Sequence, residues 1–514
     1  MEQTLIRGPK LGITIAAMAA ALMAILDISI VNVALTDIRA SFGTPLDQIA
    51  WVSTGYMMAN VVIIPLTGWL QRRFGYKKYF TFSIVLFIIA SALCGAAWNL
   101  PSLVAFRVLQ GMGGGAIIPT AQSILFARYP QKEHGMAGAL FGLGAVTGPL
   151  LGPTIGGYLI DVASWHWIFL INVPVGIFAA FMAYKYIDEP DFVASKAPVD
   201  RYGLLLLVVG MGSLQYVLEE GSRDDWFSSN LILGLSMLAI FALVVFVVHQ
   251  LETDHPIVDL RVFKDTAYTA ATGINFLVGM ALFGAAFLFS LYCGAVMHYK
   301  ALDIGILFLK GCWIQVLIMP FIGKFAGRID GRYMIAFGMT VLTGSLYMHT
   351  QFSAQSDMVS LTLPLFVRSV GLAFIFVPLS ILALSSLPAK QRGNGAGLFN
   401  LTRELGGSIG TAWMSSLLSK GQVRAHSYYA EHVSVFSPAT TERIANIKSS
   451  NGWRFTDSDQ AAMSILNNTI NQQALVKAFN NCFWYVTIVF AFGLIFILFL
   501  KKPDKTGAPV HDAH

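Results

Sequence analysis

Apolar runs, broken by short clusters of charge, glycine and proline, recur from one end of the chain to the other. A helix needs about 20 apolar residues to cross a bilayer. By that measure the runs predict fourteen spans, at 11–35, 48–70, 79–97, 101–126, 134–160, 165–187, 201–219, 230–250, 267–297, 302–326, 333–350, 359–386, 393–418 and 480–500. The expected fold class is an all-α polytopic membrane protein. One long polar segment, 419–478, separates the last two spans and is expected as a loop, with an amphipathic helix over 461–475. A loop of that length is usually functional or disordered.

The pattern repeats. Pro130-Gln-Lys-Glu-His-Gly135 returns as Pro388-Ala-Lys-Gln-Arg-Gly393, and Gly148 and Gly152 return as Gly406 and Gly410, all 258 residues on. Pro65-Leu-Thr-Gly68 returns as Pro320-Phe-Ile-Gly323, and Arg107 roughly as Arg368. Repeats in one orientation imply two parallel halves related by an axis along the membrane normal. The division expected is a six-helix half over 1–190, an inserted helix pair over 191–262 and a second six-helix half over 263–514.

Composition agrees. Charged residues are 12% of the 514 and hydrophobic ones 55%, whereas soluble domains average about 25% charged. The net charge of +6 is spread over short loops rather than gathered in a nucleic-acid patch. Arg72, Arg73, Lys77 and Lys78, then Arg128 and Lys132, Arg328 and Arg332, Lys390 and Arg392, and Lys501 and Lys502 all fall on one side of the fourteen-span scheme. That side is expected to be cytoplasmic, with both termini on it. Arg7 and Lys10 before an apolar run mimic a signal peptide, but the run is too long and is kept as span 1. Cys94, Cys293, Cys312 and Cys482 have neither metal nor disulfide spacing and are expected in the core. No metal or other cofactor is expected. The chain has no His-Glu-x-x-His pair and no P-loop, so enzymatic chemistry is not expected.

The candidate chemistry lies inside the apolar runs. Asp27 interrupts span 1, where a carboxylate is costly and usually faces a polar interior or cavity. Burial favours its neutral form and a nearby cation its charged form. Arg107 in span 4, which cannot lose its proton, is a candidate partner. Asp27 is therefore read as a proton-coupling carboxylate, or else as a structural acid pinned by a base. Glu404, beside Arg403 in span 13, is either a second proton site or a local ion pair. Asn32, Gln110, Lys310, Gln315 and Arg403 are candidate substrate-binding residues; for Lys310 the alternative is snorkelling to the interface. Arg368 is expected to be structural. Gly144, Gly148, Pro149, Gly152, Gly156 and Gly157 in span 5 suit close helix packing or a hinge. Gly68, Arg73, Gly75 and Lys77 mark the first basic loop.

Together these runs resemble the major facilitator superfamily, and within it the fourteen-span drug/proton antiporters. Leu26-Asp-Ile-Ser-Ile-Val-Asn-Val-Ala-Leu35 resembles that group's first-span signature, Arg107 to Gly115 its fourth-span motif and Gly144 to Gly157 its antiporter motif. Trp165 to Gly176 is similar to its sixth-span signature. Asp225-Trp-Phe-Ser-Ser229, Pro256-Ile-Val-Asp-Leu260 and Gly407-Ser-Ile-Gly-Thr411 are similar to the EmrB-type branch of Gram-negative bacteria. The chain departs from the pattern at Arg72, where the loop signature has an acid, and at Thr36, where the first span usually has proline.

The resemblance implies a two-half bundle with a central cavity, in the inner membrane, exporting hydrophobic drugs or toxic compounds against proton entry. Asp27 and Arg107 would carry coupling, with Glu404 contributing. It also implies a periplasmic membrane-fusion adaptor and an outer-membrane channel as partners, which the 419–478 segment would meet. Two alternatives stay open. One is a dedicated exporter of an anionic metabolite such as a siderophore or fatty acid, which Lys310 would favour. The other is a non-transporting sensor or scaffold.

Overall fold

The computed structural model describes residues 6–130, 133–190, 192–326, 328–388, 391–433, 437–451 and 458–500. It is helical throughout, and the described residues hold no β-strand beyond an isolated bridge between Arg7 and Asp188. The helices are α1 (Lys10–Phe42), α2 (Leu46–Ile49), α3 (Trp51–Phe74), α4 (Tyr76–Gly95), α5 (Leu100–Arg128), α6 (His134–Val162), α7 (Trp167–Leu170), α8 (Asn172–Tyr186), α9 (Arg201–Glu220), α10 (Asn230–Glu252), α11 (Thr266–Gly279), α12 (Ala286–Ala295), α13 (Ala301–Phe325), α14 (Gly331–His349), α15 (Met358–Ser385), α16 (Arg392–Glu431), α17 (Pro438–Asn451) and α18 (Ser458–Gly493). A π-helical turn, Met280–Ala285, joins α11 to α12.

Each predicted span falls on helix. Nine helical stretches among the described residues are long and apolar enough to cross a membrane. Their starts are written locally. Asp200, Asp265, Asp330 and Asp357 each accept a backbone N–H at the mouth of α9, α11, α14 and α15, and Asn99 and Ser102 form a capping box on α5. Such caps satisfy donors that a helix cannot pair internally. α1 ends at Gly43, whose φ of 62° is the left-handed conformation that closes helices without a Cβ clash.

Within the 419–478 segment the helix expected over 461–475 falls inside α18, but the rest differs from the loop expected. α16 runs on unbroken to Glu431, α17 follows, and α18 begins at Ser458. The last two spans thus extend as a helical hairpin, with α17 packed on α18. The polar composition there reports exposure rather than irregular backbone, since a helix can be polar all round when neighbouring helices hold it.

The halves meet at the end that carries the basic loops, and they do so twice in the same way. A Cβ on Gly68 of α3 would strike the backbone of Asn394 at the start of α16. A Cβ on its repeat partner Gly323 of α13 would strike Gly135 and Ala139 at the start of α6. His134 Nδ1 lies 3.2 Å from Ser385 Oγ, and Asn400 Nδ2 donates to Gln122 Oε1 at 2.6 Å. The α9–α10 pair packs beside α3 and α16, with Gln215 donating to Ser408 Oγ at 3.0 Å.

Candidate functional site

Asp27 faces away from lipid, into a sealed cluster. Asp27 and Gln110 are 0% exposed and Arg107 is 1% exposed. Arg107 Nη1 donates to Asp27 Oδ2 at 2.6 Å and to Gln110 Oε1 at 2.6 Å. Asp27 Oδ1 accepts from Gln110 Nε2 at 2.8 Å and from Asn172 Nδ2 at 2.7 Å. Gln110 Nε2 also reaches Ser91 Oγ at 2.7 Å, and Arg107 Nε donates to the Val52 carbonyl at 3.1 Å. The Tyr56 ring covers the guanidinium, 4.3 Å from its Cζ.

Five helices supply these groups: α1, α3, α4, α5 and α8. Arg107 and Gln110 are one turn apart on α5, so both face α1. α5 can lie this close because its glycines carry no side chain: a Cβ on Gly111 would strike the Tyr56 carbonyl, and one on Gly115 would come within 2.7 Å of the Asn60 carbonyl. Breaking such a buried ion pair by removing one partner costs about 3–5 kcal/mol, because the other charge is left uncompensated.

The opposite face of α1 packs on the span-5 glycines. Cβ atoms on Gly144, Gly148, Gly152 and Gly156 would meet Met18, Ile25, Ser29 and Ile30 in turn. Ser29 Oγ donates to the Gly148 carbonyl at 3.1 Å. Ile25 and Ser29 flank Asp27 at two residues either side, about 200° around the helix, so the acid and the packing face are back to back. Gly157 has nothing within 4 Å of its Cβ position and stands outside this contact. The side chain of Pro149 lies outside the described residues.

Other predicted residues lie elsewhere. Asn32 is exposed and accepts from Ser53 Oγ at 3.3 Å. Glu404 is 8% exposed on α16. Arg403 Nη2 donates to Asn400 Oδ1 at 2.8 Å, and Asn400 in turn ties α16 to α5. Lys310 is exposed, its Nζ 3.2 Å from the Met358 sulfur. Gln315 is buried at 1% exposure.

The first basic loop pins the connector after α8. Gly75, at φ 81°, brings the backbone N–H groups of Tyr76 and Lys77 onto the Glu189 carboxylate, at 3.0 and 2.9 Å. Arg73 Nη1 donates to the Ala197 carbonyl at 3.1 Å. Asp259, in the connector before α11, attracts Arg72, the residue that stands where the loop signature has an acid.

The Major Facilitator Superfamily profile matches residues 17–411. The chain belongs to the major facilitator superfamily. It is 35% identical to the fatty acid resistance protein FarB of Neisseria gonorrhoeae, over 99% of this chain and 100% of that one. It is 34% identical to the multidrug export protein EmrB of Escherichia coli K12, over 100% of both. Among solved structures, the human organic anion transporter MFSD10 (TETRAN) superposes with a TM-score of 0.60 at 13% identity, covering 96% of this chain and 100% of that one. That likeness is of fold alone. As a member of the superfamily the protein is a multi-pass membrane transporter rather than an enzyme. Gly406-Gly-Ser-Ile-Gly410 does spell the letters of a nucleophile elbow, but it lies in mid-helix on α16, without the strand-to-helix turn that exposes such a serine.

Sequence reasoning paired Asp27 with Arg107 but missed Asn172, Ser91 and Tyr56 as its other neighbours. Asn172 lies in the Trp165–Gly176 signature, and an amide inside an apolar run was the available signal.

Proposed function

We propose that the protein is a proton-driven antiporter exporting hydrophobic drugs or toxic compounds. The sealed cluster of Asp27 with Arg107, Gln110 and Asn172 carries the reading. A proton on Asp27 and a full ion pair with Arg107 exclude one another, so proton uptake weakens the hold of α5 on α1. The opposite face of α1 rests on glycines, which present little side-chain relief to sliding. Proton binding at one face is thereby linked to movement at the other. Glu404, buried on α16, is a second acid that contributes to coupling.

The basic loops and both termini lie in the cytoplasm of a Gram-negative cell, with the chain crossing the inner membrane fourteen times. The halves then close toward the cytoplasm. The hairpin of α16 and α18 projects into the periplasm, where an adaptor leading to an outer-membrane channel docks. The name of the E. coli relative supports drug export. The name of the N. gonorrhoeae relative supports amphiphilic anions among the cargo.

The test is Asp27→Asn in a pump-deficient host and in proteoliposomes. Resistance and gradient-driven transport should both vanish while membrane insertion is unchanged. Gradient-dependent export at the unmodified rate would sink the coupling role.

A further inference from the structure

One buried guanidinium of this protein has a carboxylate and another has none. Arg368, on α15, is 4% exposed. Its Nη2 reaches the sulfur of Cys312 at 3.9 Å, and the Phe308 ring lies 5.6 Å from its Cζ. Among the described residues its Nε and Nη1 have no hydrogen-bond partner. Nor has Nε2 of Gln315, which is 1% exposed and one turn from Cys312 on α13. Buried polar groups are nearly always paired, and an unpaired one calls for an ion, a water or a ligand. A full charge makes that demand stronger.

The C-terminal half has no acid in the place that serves Arg107. The paired glycines fix the register. Gly148 and Gly152 meet Ile25 and Ser29 of α1, and their repeat partners Gly406 and Gly410 meet Phe276 and Met280. Both pairs are shifted by 251 residues (25 to 276, 29 to 280), which sets Val278 where α1 carries Asp27. The whole stretch Thr266–Ala295 contains no Asp or Glu. The packing is repeated and the counter-charge is not.

We propose that Arg368 and Gln315 form a binding site for the carboxylate of an organic anion, set in the seam between α13 and α15. The free Nε and Nη1 each lie beside Nη2 on a different edge of the planar guanidinium, so a carboxylate can take either edge by sharing Nη2 with its long contact to Cys312, and the Gln315 amide adds a further donor. Phe308 gives the ligand's hydrocarbon an apolar wall. Lys310, exposed on α13 and resting on Met358 in the first turn of α15, places a second positive charge toward the outer end of the same seam. The site names a substrate class for the exporter and rests on that reading for what the ligand is. Binding measured at equilibrium, with no proton gradient, succeeds or fails without reference to Asp27.

The experiment uses the full chain in an uncharged maltoside detergent at fixed ionic strength. Octanoate, octyltrimethylammonium and chloride are titrated separately, with binding read by calorimetry and thermal unfolding. Octanoate should bind and raise Tm. Arg368→Gln should weaken octanoate at least tenfold and leave octyltrimethylammonium within twofold, while Arg368→Lys retains part of the octanoate affinity. Gln315→Ala, which keeps the charge and leaves only a small void, should weaken octanoate about threefold or more. Without ligand, Arg368→Met should unfold at a higher temperature than the unmodified protein, since an uncompensated charge is gone; a purely structural arginine would move Tm the other way. Octanoate affinity unchanged in both Arg368→Gln and Gln315→Ala overturns the site. Chloride matching octanoate at equal concentration overturns the assignment to a carboxylate. If Arg368→Gln does not fold, unchanged octanoate binding by Gln315→Ala alone overturns it.

Discussion

The two halves of this transporter share a scaffold and differ in their chemistry. In the first, α6 lays Gly148 and Gly152 on α1, and the far side of α1 holds Asp27 against Arg107. In the second, α16 lays Gly406 and Gly410 on α11, and the register sets a buried valine, Val278, at the acid's position. Duplication preserved what backbone packing requires, because a glycine contact tolerates few alternatives. It did not preserve the ion pair, because a buried pair is weak evidence for stability and persists where it has other work. The proposed coupling site thus lies in one half and the proposed anion site in the other.

The sharpest way to break this contrast is to alter both positions. Asp27→Asn should abolish gradient-driven efflux, a loss of 100-fold or more, whereas Val278→Ala should stay within about twofold in the same vesicles. Equal losses would erase the distinction between the halves.

The next test bears on the glycines. Overpacking costs typically about 1–3 kcal/mol. An alanine at Gly406 meets the Phe276 carbonyl, which is backbone, whereas an alanine at Gly148 first meets Ile25 Cγ2, which can turn, with the fixed Ile25 Cβ and carbonyl carbon behind it. Gly406→Ala should therefore lower Tm more than Gly148→Ala. The reverse order would mean that the α1–α6 contact is the less forgiving of the two.

Asn172→Ala removes one of the donors on Asp27. A hydrogen bond to a charged group contributes about 1.5–3 kcal/mol, so transport should slow roughly tenfold with little change in expression. Transport at the unmodified rate would show that Arg107 and Gln110 suffice to hold the acid.

The smallest effect lies at the inserted pair. Burial pushes the Asp200 carboxyl up, but the Gly203 backbone N–H, His249 and Gln250 outweigh it and hold the group below its ordinary value. An acid depressed by folding contributes stability that is present above its unfolded value, about 3.9, and is lost as pH falls through the folded one. Asp200→Asn should lower Tm by a few degrees near pH 7, and the difference should shrink once pH drops below about 4. A gap that persists unchanged at acid pH would point to shape rather than charge at this cap.

Much of this was legible in the sequence, for physical reasons. An apolar run near 20 residues has few fates, and an acid inside one needs a partner, so Asp27 led to Arg107. The glycine spacing of four in span 5 marked one helix face, apart from Gly157, which the spacing does not include. Three features were not legible. The helix expected over 461–475 lies within α18, but 419–451 lacks an apolar stripe strong enough to mark helix, because α16 and α18 hold one another through their continuation into the bundle. Lys310 is long enough to leave the level at which its Cα sits, so its position in the chain did not locate its charge. Arg368 reads as structural in the sequence, which shows that an arginine is present but not that two of its donors lack a partner among the described residues.

α16 is a single rod of 40 residues, about 60 Å long at 1.5 Å per residue. Its first turn is clamped against Gly68 where the halves close, and its last turns stand clear of the bundle beside α18. A rod buried from Gly393 to Met414 and free beyond it is a lever. Parting the halves at the basic-loop end must swing the far tip through a wider arc, so spin labels there should move farther than labels at the clamp during turnover. Whatever grips that tip from outside would feel each stroke of the cycle, and by resisting the swing would slow it.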